Sequence, residues 1–300
     1  MQTPEIIEAA ARRLTDEYIF PDKAALATDA LTAALSAGDF DALDGPALCT
    51  RVTEIFFEHC ADKHLRLIWS EEPQDLDESD SDALFNALIV AENHGIRRVE
   101  RLEGNIGYLD LTLVTDASVG APAIAAAMEL VVNTEALIID LRANRGGAPN
   151  GVQLWCSYLF PDDDTHLNNI YSRVKDGTRQ YWTLAHVDGR RYLDRPVYIL
   201  TSGTTFSGGE EFAYNLKTQK RATLIGETTR GGAHPTEFHV LTPHVVVSIP
   251  NARSINPVTG TNWEGVGVEP DVAVSAEEAF EVAYRDARDR IEKSHAAADR

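Results

Sequence analysis

Pro196-Val-Tyr-Ile-Leu-Thr201-Ser-Gly-Thr-Thr-Phe-Ser207-Gly208-Gly209-Glu210-Glu211-Phe-Ala-Tyr-Asn-Leu216 changes its periodicity halfway along. It opens as an unbroken apolar run, the pattern of a strand buried on both faces. It then passes through small and hydroxylated residues and resumes at helical spacing. Strand, turn and helix in that order are the unit of a parallel α/β sheet. Ser207 falls at the helix start, where the first amides lack acceptors and carry partial positive charge. A hydroxyl there can attack a carbonyl while nearby amides receive the oxyanion. Serine is also an ordinary helix cap, and the segment by itself does not choose between the two.

A second unit of the same kind is Leu137-Ile-Ile-Asp140-Leu-Arg142-Ala-Asn144-Arg-Gly146-Gly147. Glycine permits close approach of a ligand to the chain, so Gly146 and Gly147 suit an oxyanion cradle or a plain tight turn. The pattern is no phosphate-binding loop, since the GxxxxGK[ST] run is missing. Around these units, strands are expected over 106–113, 136–141, 197–201 and 222–226, with helices over 120–132, 150–160 and 208–218. A hairpin is expected from 237–241 and 245–249 about Thr242-Pro243-His244, and a charged helix over 276–293.

The first sixty residues read as three helices. Thr3 is placed to cap the first, with Pro4 at its first position. Asp22 is placed to cap the second, which should stop near Gly38. Leu48, Val52, Ile55, Phe56 and His59 mark one face of the third. Glu71, Glu72, Asp75, Asp77, Glu78, Asp80 and Asp82 follow with no basic residue among them. They read as a solvated acidic loop leading into a short helix, and their spacing fits no calcium loop. The organisation expected is a helical domain over 1–70, an acidic linker over 71–95, and an α/β core with a C-terminal helix over 96–300.

Composition narrows the function classes. The 300 residues are 44% hydrophobic and carry a net charge of −20, which argues against nucleic acid and anionic membrane surfaces as partners. Cys49, Cys60 and Cys156 are odd in number and form no CxxC pair, so free thiols in a reducing compartment, and a cytoplasmic location, are expected. No apolar run approaches the length of a membrane span. Without HExxH, CxxC or GxGxxG, neither a metal nor an organic cofactor is expected.

Two more residues bear on chemistry. Asp62-Lys-His64-Leu-Arg-Leu67 places a histidine after the helical region, and Trp263-Glu264-Gly-Val-Gly267-Val268-Glu-Pro270-Asp271 places a carboxylate before a turn-rich strand. Taken singly, each is more often structural. Together with Ser207 they make a nucleophile, base and orienting group.

The motifs as a set resemble the tail-specific (C-terminal processing) serine protease family. Asp140-Leu-Arg-Ala-Asn144-Arg-Gly146-Gly147 is similar to its D-x-R-x-N-x-G-G element, and Thr205-Phe-Ser207-Gly-Gly-Glu-Glu-Phe-Ala213 to its nucleophile segment. Arg221-Ala222 through Gly226-Glu-Thr-Thr-Arg-Gly231 resembles the stretch that follows, and Gly267-Val268-Glu-Pro270-Asp271 the G-V-x-P-D near the end. The likeness covers roughly residues 96–275. Tyr18-Ile-Phe20-Pro21-Asp22-Lys23-Ala24 and Leu102-Glu-Gly-Asn105-Ile106-Gly107-Tyr108-Leu109 resemble the branch of interphotoreceptor retinoid-binding protein.

The resemblance implies an α/β, crotonase- and Clp-like β-β-α spiral core behind an N-terminal helical domain. It also implies no PDZ domain, since only about thirty residues separate His64 from the core. One departure matters. The family's usual Ser–Lys dyad takes its lysine from a G-K-G, whose lysine position here is Gly232 in Thr229-Arg-Gly231-Gly232-Ala-His234. The related tricorn protease core uses Ser, His and Glu, and His64 and Glu264 match those places. On that scheme Ser207 attacks, His64 moves the proton and Glu264 supports it through a bridging group. Gly208 with Gly146 or Gly147 supplies the oxyanion amides, and His234 is the alternative base. The expected activity is a serine peptidase acting on peptides. Its alternatives are a non-proteolytic binder of an apolar ligand and an acyl hydrolase or transferase on a small metabolite. A homo-oligomer is left open.

Overall fold

The computed structural model describes residues 2–74 and 89–298. Most of the expected acidic loop and its short helix lie outside the described residues. The chain forms two compact units, and neither is a continuous stretch. One comprises Met1–Phe85, Ile170–Arg179 and His234–Ser254; the other comprises Asn86–Asn169, Gln180–Ala233 and Ile255–Arg300. The boundaries expected at 70 and 96 therefore give way to an N-terminal unit that also recruits two later segments.

In the N-terminal unit, helices α1 (Thr3–Glu17), α2 (Pro21–Ala37) and α3 (Gly45–Cys60) precede strand β1 (Arg66–Trp69). Caps fall one or two residues earlier than expected. Gln2 rather than Thr3 precedes α1, and Phe20 rather than Asp22 precedes α2, leaving Asp22 in its first turn. There its charge still complements the helix N-terminus. Gly38 ends α2 in the left-handed region, φ +80°, where a side chain would be strained. On α3, Leu48, Val52, Ile55 and Phe56 are buried but His59 is exposed, so the stripe is narrower than expected. The unit is not wholly helical. β1 pairs antiparallel with β10 (Val245–Pro250), which pairs with β9 (Thr236–Thr242), the expected hairpin. Leu67, Val245, Val247 and Ile249 join Leu14, Leu31, Val52 and Phe56 in one core.

The second unit is a three-layer α/β structure. It contains β2 (Ile96–Leu102), β3 (Ile106–Leu111), α4 (Ala117–Val131), β4 (Ala136–Asp140), α5 (Pro149–Ser157), β7 (Val197–Thr201), α6 (Gly208–Thr218), β8 (Thr223–Gly226), β12 (Val272–Ala273) and α7 (Ala279–Ala298). Strands β5 (His166–Ser172), β6 (Gly177–Trp182) and β11 (Ala252–Ile255) carry the chain from one unit to the other. The main sheet has the order β12-β8-β7-β4-β3-β2, parallel except for the β2–β3 pair. Alternate side chains serve opposite faces. Leu137, Ile139, Val197, Ile199 and Leu224 pack with Met128, Trp155 and Phe212 of α4, α5 and α6. Ile138, Tyr198, Leu200 and Ile225 pack with Ala279, Ala283 and Ala287 of α7. Small residues on α7 let it lie close to the sheet, and the Tyr198 hydroxyl reaches Asp286 at 2.8 Å.

All three cysteines are free and buried, as expected. No helix among the described residues is long and apolar enough to cross a membrane.

Candidate active site

Parallel register brings the two strand-to-glycine units together. Asp140 at the end of β4 lies beside Leu200 of β7, so the turns leaving both strands open at the same sheet edge, where α/β folds place ligands. The turns are laced to each other. Thr205 donates its hydroxyl to the Leu141 carbonyl (2.8 Å), Ser202 to that of Arg142 (2.6 Å), and the Phe206 amide to that of Asn144 (3.1 Å). Asn144 is fully buried. Its Nδ2 donates to the Leu111 carbonyl, and its Oδ1 accepts the Gly146 amide, both at 2.9 Å. Asp140 accepts from the Tyr108 hydroxyl at 2.7 Å and from the Arg142 guanidinium at 2.5 Å. The D-x-R-x-N residues thus build the turn.

Gly146 and Gly147 have φ of +115° and +136°. A Cβ on Gly146 would lie 2.7 Å from Ser207 Cβ and 3.2 Å from its Oγ; one on Gly208 would lie 2.9 Å from the Gly147 nitrogen. The turn is therefore pressed against the serine, and none of these glycines could carry a side chain in place. Gly208 opens α6, so its amide has no intrahelical acceptor. Of the three expected oxyanion donors, Gly146 must be set aside, because its N–H is committed to Asn144. Gly147 and Gly208 remain.

Ser207 sits at φ +52°, ψ −121°. A capping serine is normally extended, and a non-glycine residue with positive φ is strained by about 1–3 kcal/mol. Capping alone does not call for that conformation.

Glu210, one turn into α6, is fully buried. Its Oε2 accepts the Ser207 and Gly232 amides at 2.8 and 2.9 Å, and its Oε1 accepts the Thr229 hydroxyl and the Gly231 amide at 2.5 and 2.6 Å. Burial nevertheless holds its carboxyl above the usual carboxylate range, against the four donors. Gly232 spends its amide here and its carbonyl on the Trp263 indole (2.8 Å). Glu264 is half-buried and accepts the Ala233 amide at 2.5 Å. Lys217 donates to the Glu269 carbonyl and lies 3.6 Å from Asp271, at the far end of α6 from Ser207.

The two candidate histidines belong to the N-terminal unit, and one carboxylate serves both. Asp62 accepts the His64 amide at 2.9 Å, the His234 Nδ1 at 2.6 Å and the Tyr18 hydroxyl at 3.2 Å. Burial opposes its charge, but the His234 bond and the nearby imidazoles outweigh it and hold the carboxyl below the usual range. Nothing in the sequence around Asp62 marks it, because its partner His234 lies 172 residues away. Asn144 and Glu210 did carry signals: an Asx residue two before a glycine, and Ser-x-x-Glu at a helix start. Among the described residues of this unit, Glu17, Glu237 and His239 offer atoms within 4.8 Å of one another, close enough to hold a metal. Glu17 already pairs with Arg13 at 2.7 Å and His239 at 2.8 Å, which accounts for the arrangement without an ion.

Next to Glu210, Glu211 is wholly buried, and burial lifts its pKa from 4.5 to about 7 against the opposing influence of Asn168 and Asn215. Between pH 4.5 and 7 the folded protein keeps a proton that the unfolded chain has lost. Stability should therefore fall by roughly 3 kcal/mol across that window and level off above it. Urea titrations at pH 5 and 8 should show this loss in the native protein and its absence in Glu211→Gln; equal slopes would exclude Glu211 as the cause.

The family model described as peptidase family S41 matches residues 105–274, which include both turns, Glu210 and Glu264. A carboxy-terminal-processing protease of Bartonella bacilliformis is 26% identical over 180 residues, covering 58% of this chain and 40% of that protein. The tricorn protease of Thermoplasma volcanium is 27% identical over 177 residues, 58% of this chain and 16% of its own length. The chain thus spans well under half of either relative. A solved photosystem II D1 C-terminal processing protease has the same fold, with a TM-score of 0.54 at 14% identity over 92% of this chain and 94% of that one. With the family match running from β3 to the strand after Glu264, over more than half its length, this chain belongs to peptidase family S41.

Proposed function

We propose that this chain is a serine peptidase that cleaves peptide bonds with Ser207 as nucleophile, on a core wound as a crotonase-type β-β-α spiral. The observation that carries the reading is the strained Ser207 set against the Gly146–Gly147 turn, with the Gly147 and Gly208 amides beside it. Ser207 Oγ attacks the scissile carbonyl, and its proton passes to a histidine. The carbonyl oxygen, now an oxyanion, is received by the two amides. The histidine returns the proton to the leaving amine, and water then releases the acyl group. The Ser–Lys route has no lysine at Gly232, so the base is assigned to His64, with Glu264 as its support and His234 as competitor. Tricorn protease among the relatives supports this assignment. Three buried thiols favour a reducing, cytoplasmic setting.

A fluorophosphonate probe tests the proposal, since only an activated serine reacts with it. Wild-type protein should be labelled at Ser207, and Ser207→Ala should not be labelled at all. Intact, folded protein that resists the probe would overturn the peptidase reading and leave a binding protein on the same fold.

A further inference from the structure

A cavity of about 610 Å³ opens where β7 and β8 begin, lined by Pro196 and Val197 of one approach and Ala222 and Thr223 of the other. Ser207 follows the opposite end of β7, so roughly 15 Å of strand separates the two edges. In a chain of net charge −20, this cavity is lined by Arg195, Lys220, Arg221 and Arg290 against a single acid, Asp194.

How these cations are held matters more than their number. Arg221 donates Nε to the Leu159 carbonyl (2.6 Å), Nη1 to that of Arg195 (3.1 Å) and Nη2 to that of Tyr192 (2.8 Å). Arg195 donates Nη1 to the carbonyls of Val132 and Thr134 at 2.5 and 2.8 Å. Carbonyls orient a guanidinium without cancelling its charge, and three bonds leave Arg221 two of its five N–H donors. Arg290 is shared with Asp286 at 2.9 Å, and Lys220 is exposed at φ +56°. Phe160, Leu193 and Pro196 supply an apolar wall. The exposed run Asp162, Asp163 and Asp164 follows Pro161 of the rim, and its charge repels a long polyanion. A short one is left.

We propose that this cavity binds a small amphipathic oxyanion, a carboxylate or phosphate head on a short apolar body, at a site separate from Ser207. The head sits among Arg195, Lys220 and Arg221, and the body lies on Phe160, Leu193 and Pro196. Fixed guanidinium groups favour such heads because little side-chain freedom is lost on binding.

Calorimetric titration of the full chain with hexanoate, hexyl phosphate and 1-hexanol tests this. One or both anions should bind saturably, and the tighter one identifies the head group. Hexanol should bind at least about tenfold more weakly, and raised salt should weaken the anions. The exposed pair is the one to reverse, since changing Arg221 would strip three bonds from the fold. Lys220→Glu with Arg290→Glu should lower anion affinity at least about tenfold, and Lys220→Glu alone should lower it part of the way. Ser207→Ala should bind as wild type, which separates this site from the peptidase proposal. The inference is overturned if neither anion saturates by about 10 mM, if hexanol binds as well, or if the folded reversal variants bind unchanged.

Discussion

Alanine at position 64 should lower peptide turnover by about four to six orders of magnitude while leaving the protein folded. A serine hydroxyl at neutral pH needs a base to take its proton. Gly232 offers none, and Lys217 is tied to the Glu269 carbonyl. The fold should tolerate the change, because two main-chain bonds of His64 persist in the variant: its amide to Asp62, and its carbonyl, which accepts the Ser248 hydroxyl at 2.7 Å. Turnover and melting temperature measured together decide the matter. Full activity in His64→Ala, with loss in His234→Ala, would transfer the role to the histidine whose ring rests on Asp62. Activity surviving both changes would end the histidine mechanism.

Glu210→Gln should be the most damaging near-isosteric change in the nucleophile segment. The carboxylate accepts four hydrogen bonds, two on each oxygen. An amide supplies one accepting oxygen and turns an NH2 toward two donors. Hydrogen bonds to a buried charge contribute about 1.5–3 kcal/mol each, and orphaned donors add to the loss. The native protein should exceed the variant in urea stability by roughly 3–5 kcal/mol. The probe rate at Ser207 should fall as well, because the Ser207 amide loses its anchor. A stability change below about 1 kcal/mol would show that Glu210 does not organise these turns.

What could be read in the residues alone was what is local. The apolar run of β7, the small residues and the helix after Ser207 lie within twenty-one positions, and their pattern sufficed for strand, turn and helix. β4 with its glycine turn was legible for the same reason. β5 and β6 were missed: His166–Ser172 and Gly177–Trp182 mix polar and apolar residues without clean alternation, and most of β6 is exposed. The Asp62–His234 pair was out of reach because nothing near either residue refers to the other. The commitment of the Gly146 amide is legible in Asn144, since an Asx side chain two residues before a glycine commonly takes that N–H. Grouping Ser207 with the glycine turns required only parallel order. His64 enters the scheme through the family resemblance.

The pairing of β1 with β10 has a consequence for how this protein is made. Leu67 and Val247 are partners about 180 residues apart in the chain. At bacterial or eukaryotic elongation rates of roughly 5–20 residues per second, the N-terminal helices emerge roughly 10–40 seconds before their sheet. During that wait Leu14, Leu31, Val52 and Phe56, which end in the same core as Val245, Val247 and Ile249, lack those strand partners. The nascent chain therefore carries an incomplete apolar surface while those residues are added, an opening for chaperones and for misassembly between neighbouring chains on one messenger RNA. Ser207 leaves the ribosome in that same interval. Whatever depends on the β1–β10 pairing is withheld until residue 250 has been added, so a product truncated before it would lack that pairing.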